Sequence, residues 1–149
     1  MTAVPTMTTL KAINDLHRHC APLRAEIEAA FAAVLDRGHF ILGPEVDSFE
    51  QAFAAACGVT HGIAVANGTD ALELALKACG VGPGDVVATV ANAGLYSTTA
   101  IRLVGGVPAY ADVDPATGLV NLADLAAVCD RFRPRAIVAT HLYGRMVDM

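Results

Sequence analysis

The sequence predicts an α/β fold, part of a three-layer arrangement in which helices cover both faces of a mostly parallel sheet. Three observations carry that expectation. From residue 63 onward, short apolar runs alternate with stretches of helical period. The apolar runs are nearly continuous rather than interleaved with polar residues, as strands buried on both faces are. Glycine, proline or asparagine stands at most junctions between the two kinds of segment.

The first nine residues, MTAVPTMTT, have no period, and residues 1–21 are expected to be a lead-in to one structural unit spanning 22–149. Between Pro22 and Arg37, Leu23, Ile27, Ala30, Phe31, Val34 and Leu35 recur at three- and four-residue steps, which predicts a helix stopped by Gly38. Pro44 suits the first turn of a second helix, with Val46, Phe49, Phe53 and Ala56 on one face and Gly58 as its stop. The alternation then begins. A strand is expected at Ile63–Ala66, a helix at Thr69–Cys79 closed by Gly80, and a strand at Asp85–Val90. A helix follows from about Ser97 to Val104, then a strand at Val107–Val113, a helix at Leu122–Phe132 introduced by Asn121, and a strand at Ala136–Leu142. Strands buried on both faces need more neighbours than these, so the domain is expected to be incomplete.

Composition narrows the function. Of 149 residues, 54% are hydrophobic and 17% charged, which suits a packed core rather than a disordered chain. The net charge is −5 and the ten basic residues are scattered, so no stripe is available to neutralise a nucleic-acid backbone or a membrane surface. No apolar run approaches a bilayer span and no signal-peptide pattern opens the chain, which leads us to expect a cytoplasmic protein. Cys20, Cys57, Cys79 and Cys129 have no metal-ligand spacing and are expected as small buried thiols in a reducing compartment.

Several junctions could carry chemistry, and each has a purely structural reading beside the functional one. Asn67-Gly68-Thr69-Asp70 leads from an apolar run into a helix, an arrangement that aims free backbone N–H groups and the positive helix end at one spot suited to phosphate. Alternatively, Asn67 or Thr69 merely caps the helix, and Asp70 and Glu73 add charge that opposes an anion. Gly80 to Asp85 is glycine-rich but lacks the lysine of a phosphate loop and reads as a tight connection. In the loop Ala91–Thr99, Tyr96 stands beyond the carboxyl end of a strand, where ligands of such sheets bind; it either stacks on a planar ligand or is a surface tyrosine. Asp112 and Asp114 form either a carboxylate pair or a turn before Pro115, and His141 either a catalytic or a structural histidine.

Taken together, LGPEVDSFEQAFAAACGV (42–59), HGIAVANGTDALELALKACGVGPGDVV (61–87), VPAYADVDPATG (107–118) and HLYGRMVDM (141–149) resemble the nucleotide-sugar aminotransferases of the DegT type, in order and at the expected spacings. VANAGLYSTTAI (90–101) is similar to the branch that aminates 3-keto-6-deoxyhexoses carried on thymidine diphosphate. The resemblance implies pyridoxal 5'-phosphate as cofactor and the amino-terminal part of a fold-type-I large domain. It implies that Gly68, Thr69 and the amide of Asp70 hold the cofactor phosphate and that Tyr96, or its neighbour Leu95, lies over the ring. It also implies a homodimer in which the Gly38–Gly43 segment approaches the partner's site, with a nucleotide-linked keto sugar and an amino donor, glutamate, as substrates.

The family's pattern continues past HLYG to a carboxylate for the ring nitrogen, the aldimine lysine and a small domain. The two lysines here, Lys11 and Lys77, match neither the position nor the context of that lysine. No catalytic residue and no metal ligand is therefore expected within the 149 residues, which on their own are expected to be inactive. Two rivals are a phosphate-ligand-binding module without turnover and an unrelated nucleotide-binding α/β domain.

Overall fold

The computed structural model describes residues 14–149, so the expected lead-in at 1–9 and Lys11 lie outside the described residues. The chain divides into two compact units between Ala64 and Val65.

In the first unit, a short helix α1 (Leu16–Cys20) is capped by Asp15, whose Oδ1 accepts the Arg18 N–H at 3.0 Å. A 3₁₀ turn (Ala21–Leu23) leads into α2 (Arg24–Arg37). Pro22 thus lies within the turn, and the helix starts at Arg24, two residues after the expected start. Gly38 closes α2 in left-handed backbone, and α3 (Pro44–Cys57) runs from Pro44 to a second left-handed glycine, Gly58. The apolar stripe of α2 packs little: Ile27, Phe31 and Leu35 are each at least half exposed. On α3, Phe49 and Phe53 stack at 5.5 Å but are also half exposed, and Ala54 is that helix's buried residue.

The second unit holds a three-stranded parallel sheet in the order β2-β1-β3. α4 (Gly68–Ala78) precedes β1 (Val86–Val90); α5 (Tyr96–Leu103), β2 (Val107–Ala111), α6 (Leu122–Phe132) and β3 (Ala136–Ile137) follow in turn. β1 pairs with β2 from Val86 opposite Val107 to Val90 opposite Ala111, and with β3 at Val87–Ala136 and Ala88–Ile137. Because adjacent strand residues face opposite ways, Val87 and Ala88, both fully buried, enter different cores. Val87 packs with Leu76, Val81, Ala100, Ile101 and Val104 from the side of α4 and α5. Ala88 packs with Ala109, Ala111 and Val128 from the side of α6. This is the layered arrangement expected from the sequence.

Four expectations are corrected. Ile63–Ala66 is not a paired strand; Ile63 is 81% exposed, and the backbone of this run is held by the Ala64 N–H donating to Glu50 Oε1 at 2.6 Å. A run of apolar residues becomes a strand only where a neighbour supplies its hydrogen bonds, and none of the three strands does. The strand expected to reach Val113 ends at Ala111, after which Val113 bridges Val120 in an antiparallel turn. The strand expected over Ala136–Leu142 is two residues long and passes into a 3₁₀ turn at Leu142–Gly144. Finally, Cys20, Cys57 and Cys79 are exposed and Cys129 is half-buried: the first three sit at helix ends that face outward, where composition gives no hint of orientation. No helix among the described residues is long and apolar enough to cross a membrane.

Candidate functional site

The amino end of α4 concentrates the features of an anion site. Asn67 precedes the helix in extended backbone, and its Oδ1 accepts the N–H groups of Thr69 at 2.9 Å and Asp70 at 3.0 Å. Two helix-end donors thus already converge on one oxygen. The Ala71 N–H completes the first turn by donating to the Asn67 carbonyl at 3.1 Å. Gly68 is the first helical residue; it is exposed, and a Cβ built there meets no heavy atom within 4 Å. Its backbone does not require glycine either, since its φ is not positive. The missing side chain keeps open the space beside the donors, where a ligand phosphate would need to approach.

Two carboxylates lie near these donors. Asp70 turns back toward the cap and accepts from Asn67 Nδ2 through Oδ2 at 2.9 Å. Glu73 faces down the helix and pairs with Lys77 Nζ at 2.6 Å, so its charge is compensated one turn further on. The structural reading of Asn67 as a cap therefore describes the geometry of this chain. An oxygen acceptor already sits at hydrogen-bonding distance from the amides assigned to phosphate.

The loop after β1 is built on left-handed backbone. Gly94 and Leu95 both have φ +66°, and Leu95 serves as N-cap of α5, its carbonyl accepting the Thr99 N–H at 2.8 Å. Tyr96 is the first residue of α5 rather than a free loop residue and is 65% exposed; Leu95 is 68% exposed. The Tyr96 ring lies against Gly94: a Cβ at 94 would fall 2.8 Å from its Cε2. Asn92 ties this loop to the loop after β2, donating from Nδ2 to the Gly118 carbonyl at 2.8 Å. Local sequence patterns did not single out Asn92 or Gly94; the one signal was a glycine between an asparagine and an aromatic beyond a strand end.

The Asp112–Asp114 pair resolves as turn chemistry. Asp114 Oδ1 accepts from the Ala116 and Thr117 N–H groups at 2.7 and 3.0 Å, and the Asp112 N–H donates to Asp124 Oδ2 at 2.7 Å. His141 is structural here, its Nδ1 accepting the Val147 N–H at 3.0 Å and holding a segment whose Val147 is buried. Lys77 stands eight residues along α4 from Thr69, about 12 Å of helix rise from the amino end.

Comparison with known proteins bears on the family and the fold. The profile of the DegT/DnrJ/EryC1/StrS aminotransferase family matches residues 22–149. A UDP-N-acetyl-3-dehydro-alpha-D-glucosamine 3-aminotransferase of Acidithiobacillus ferrooxidans is 39% identical over 144 residues, 97% of this chain and 39% of that protein. A dTDP-3-amino-3,4,6-trideoxy-alpha-D-glucose transaminase of Streptomyces venezuelae is 41% identical over 138 residues, 91% of this chain and 35% of that protein. Among solved structures, S. venezuelae DesV in complex with a ketimine intermediate superposes with a TM-score of 0.83 at 36% identity, covering 91% of this chain and 36% of that one. The chain spans well under half the length of these relatives, and its fold is that of the corresponding part of fold-type-I aminotransferases.

Proposed function

The chain belongs to the DegT/DnrJ/EryC1/StrS aminotransferase family, and on that premise we propose that it forms the phosphate-binding part of an aminotransferase that moves an amino group, from glutamate, onto a nucleotide-linked keto-6-deoxy sugar. Enzymes of this family depend on pyridoxal phosphate. The observation that carries the reading is the convergence of the Thr69 and Asp70 N–H groups on a single oxygen, beside the open space at Gly68. The residues fit the cofactor's phosphate: two oriented donors, the positive end of an eleven-residue helix, and open space at Gly68, with the Asn67 oxygen holding the place a phosphate oxygen would take.

In this reading, Gly68 gives access, the Thr69 and Asp70 amides hold phosphate oxygens, and the Thr69 hydroxyl adds a donor. The Asn67 side chain gives up the two amides when phosphate enters. The Tyr96 ring provides a flat apolar surface beyond β1 for the pyridine ring. Bound there, pyridoxal phosphate supplies the aldehyde that takes up the amino group and the ring that withdraws electrons. The chain's own contribution is binding and orientation. Lys77, paired with Glu73 and well down α4, is not placed to act as the amine base, so the 149 residues alone are proposed to lack turnover. The partners proposed are a second copy in a homodimer, the keto sugar nucleotide and the amino donor. Support for this substrate class comes from the two relatives, whose names place an amino group at carbon 3 of a nucleotide-linked sugar.

The test is Gly68→Val. The backbone tolerates a side chain there and the space is open, so the fold should be unchanged while the phosphate approach is blocked. Equilibrium dialysis with pyridoxal phosphate should show at least tenfold weaker binding, with an unshifted thermal transition. Unchanged affinity would remove the phosphate assignment. Amination of a thymidine-diphosphate-linked 3-keto-6-deoxyhexose by glutamate, assayed on the polypeptide as its gene encodes it, tests the reaction.

A further inference from the structure

The loop after β1 holds a conformation that its own sequence does not favour. Gly94 adopts left-handed backbone freely, but Leu95 does not, because its Cβ crowds the following carbonyl. Such a residue persists where its surroundings fix it, and such positions concentrate where a structure holds a group ready for a ligand. Two contacts fix it here. The Thr99 N–H donates to the Leu95 carbonyl at 2.8 Å, and Asn92 Nδ2 donates to the Gly118 carbonyl at 2.8 Å across 26 residues of sequence.

The acceptor belongs to a closed turn. The Gly118 N–H donates to the Asp114 carbonyl at 2.7 Å, the Asp114 N–H to the Leu119 carbonyl at 2.9 Å, and Asp114 Oδ1 takes two further N–H groups. Arg145 Nη1 donates to the adjacent Thr117 carbonyl at 2.9 Å, so the segment after β3 is anchored on the same turn. Asn92 is therefore a tether from the Tyr96 loop to a turn that is itself fixed. Tyr96 follows directly, its ring resting on the bare backbone of Gly94.

We infer that Asn92 is a positioning residue: its side-chain amide anchors the Gly94–Tyr96 loop to the Asp114–Leu119 turn and so sets the plane of the Tyr96 ring for the cofactor's pyridine ring. The inference rests on the assignment of Tyr96 made under Proposed function. Losing one hydrogen bond of this kind lowers cofactor affinity about three- to tenfold, because the ring must then be ordered on binding.

The experiment compares Asn92→Ala, Asn92→Gln and Tyr96→Ala in the polypeptide as its gene encodes it. Three quantities are measured: pyridoxal phosphate affinity by equilibrium dialysis, circular dichroism of the bound cofactor, and amide hydrogen exchange. Asn92→Ala should weaken binding by that factor, change the cofactor's dichroism, and speed exchange at 94–98 but not at 86–90, with the thermal transition retained. Asn92→Gln, which keeps the donor on a longer stem, should recover part of each change. Asn92→Asp, similar in size but without the donor, replaces Asn92→Ala if that variant fails to fold. If Tyr96→Ala alters affinity and dichroism while Asn92→Ala alters neither, the positioning role is overturned. A loss of affinity that only tracks a lowered thermal transition, with no local change in exchange, also overturns it. If Tyr96→Ala itself changes nothing, the assignment of Tyr96 under Proposed function fails first and takes the ring-positioning role with it. Faster exchange at 94–98 in Asn92→Ala would then show a loop anchor alone.

Discussion

Replacing Asn67 by alanine separates two roles that the geometry superimposes on one side chain. As a cap, Asn67 satisfies two helix-end N–H groups and steadies Asp70. Its loss should cost about 1 kcal/mol, within the ~0.5–2 kcal/mol range of cap deletions. The central value applies because Asn67 is exposed, so water can reach the freed amides in its place. Val65–Met149 is a compact unit of domain-like size, and 1 kcal/mol there corresponds to a fall of about 4–8 °C in its melting temperature. As a competitor, Asn67 withholds the same amides from phosphate, so Asn67→Ala should bind inorganic phosphate up to about fivefold more tightly. Stability and affinity therefore move in opposite directions. Urea denaturation and calorimetry with and without phosphate measure both, since a ligand that binds the folded form alone raises its stability with the logarithm of its concentration over Kd. Asn67→Gly, which costs a cap only a few tenths of a kcal/mol, serves as the mild control. Unchanged phosphate binding in a destabilised Asn67→Ala would show that the amides only cap the helix and would refute the phosphate reading.

Ile101 is fully buried between the sheet and α4, and Ile101→Ala should cost about 2–5 kcal/mol and Ile101→Val about 0.5–1.5 kcal/mol, read from urea unfolding. Lys77 should not become a stoichiometric attachment point: borohydride reduction of the 149-residue chain with pyridoxal phosphate, followed by peptide mapping, should leave it largely unmodified. Lys77→Ala should change stability by less than about 0.5 kcal/mol, because the Glu73 pair is exposed on the lysine side. The 149-residue chain should associate in a concentration-dependent way by sedimentation velocity, since Ile27, Phe31 and Leu35 present a half-exposed apolar stripe on α2. Phe31→Glu should reduce that association, and a monomer at all concentrations would count against the stripe as its source.

Elements defined by their own residues were legible in the sequence, and those defined by a partner were not. α6 begins and ends where its pattern indicates because Asn121 closes its own cap, with Oδ1 accepting from Ala123 and Asp124, and because its apolar period is complete within eleven residues. The glycine stops at 38 and 58 were legible for the same reason. Ile63–Ala66 and Ala136–Leu142 have the apolar content of strands, but strand length is set by what lies alongside, and β1 offers β3 only two residues of paired register. The site divides in the same way. The Asn67-Gly68-Thr69-Asp70 junction is local chemistry, and its capping form was recognisable. The tie from Asn92 to Gly118 spans two loops and leaves no local signature. The exposure of Cys20, Cys57 and Cys79 depends on which way three helix ends face, which no composition reveals.

The two edges of the sheet differ in a way that bears on where such a surface can be extended. The Val107 N–H donates to the Asp85 carbonyl at 2.8 Å, on the side of β1. Alternation along the strand then turns the nitrogen of residue 108 away from β1, toward the open edge. That residue is proline, so β2 lacks an outward donor where another strand would need one. The other edge has no such block: β3 consists of Ala136 and Ile137, Ile137 is half exposed, and neither is a proline or a charged residue. Proline at 108 costs the ladder to β1 nothing, because the donor it removes never faced β1. Among the described residues, the β2 edge is therefore guarded at one position, where Pro108 removes an outward donor, and the β3 edge carries no such guard at Ala136 and Ile137.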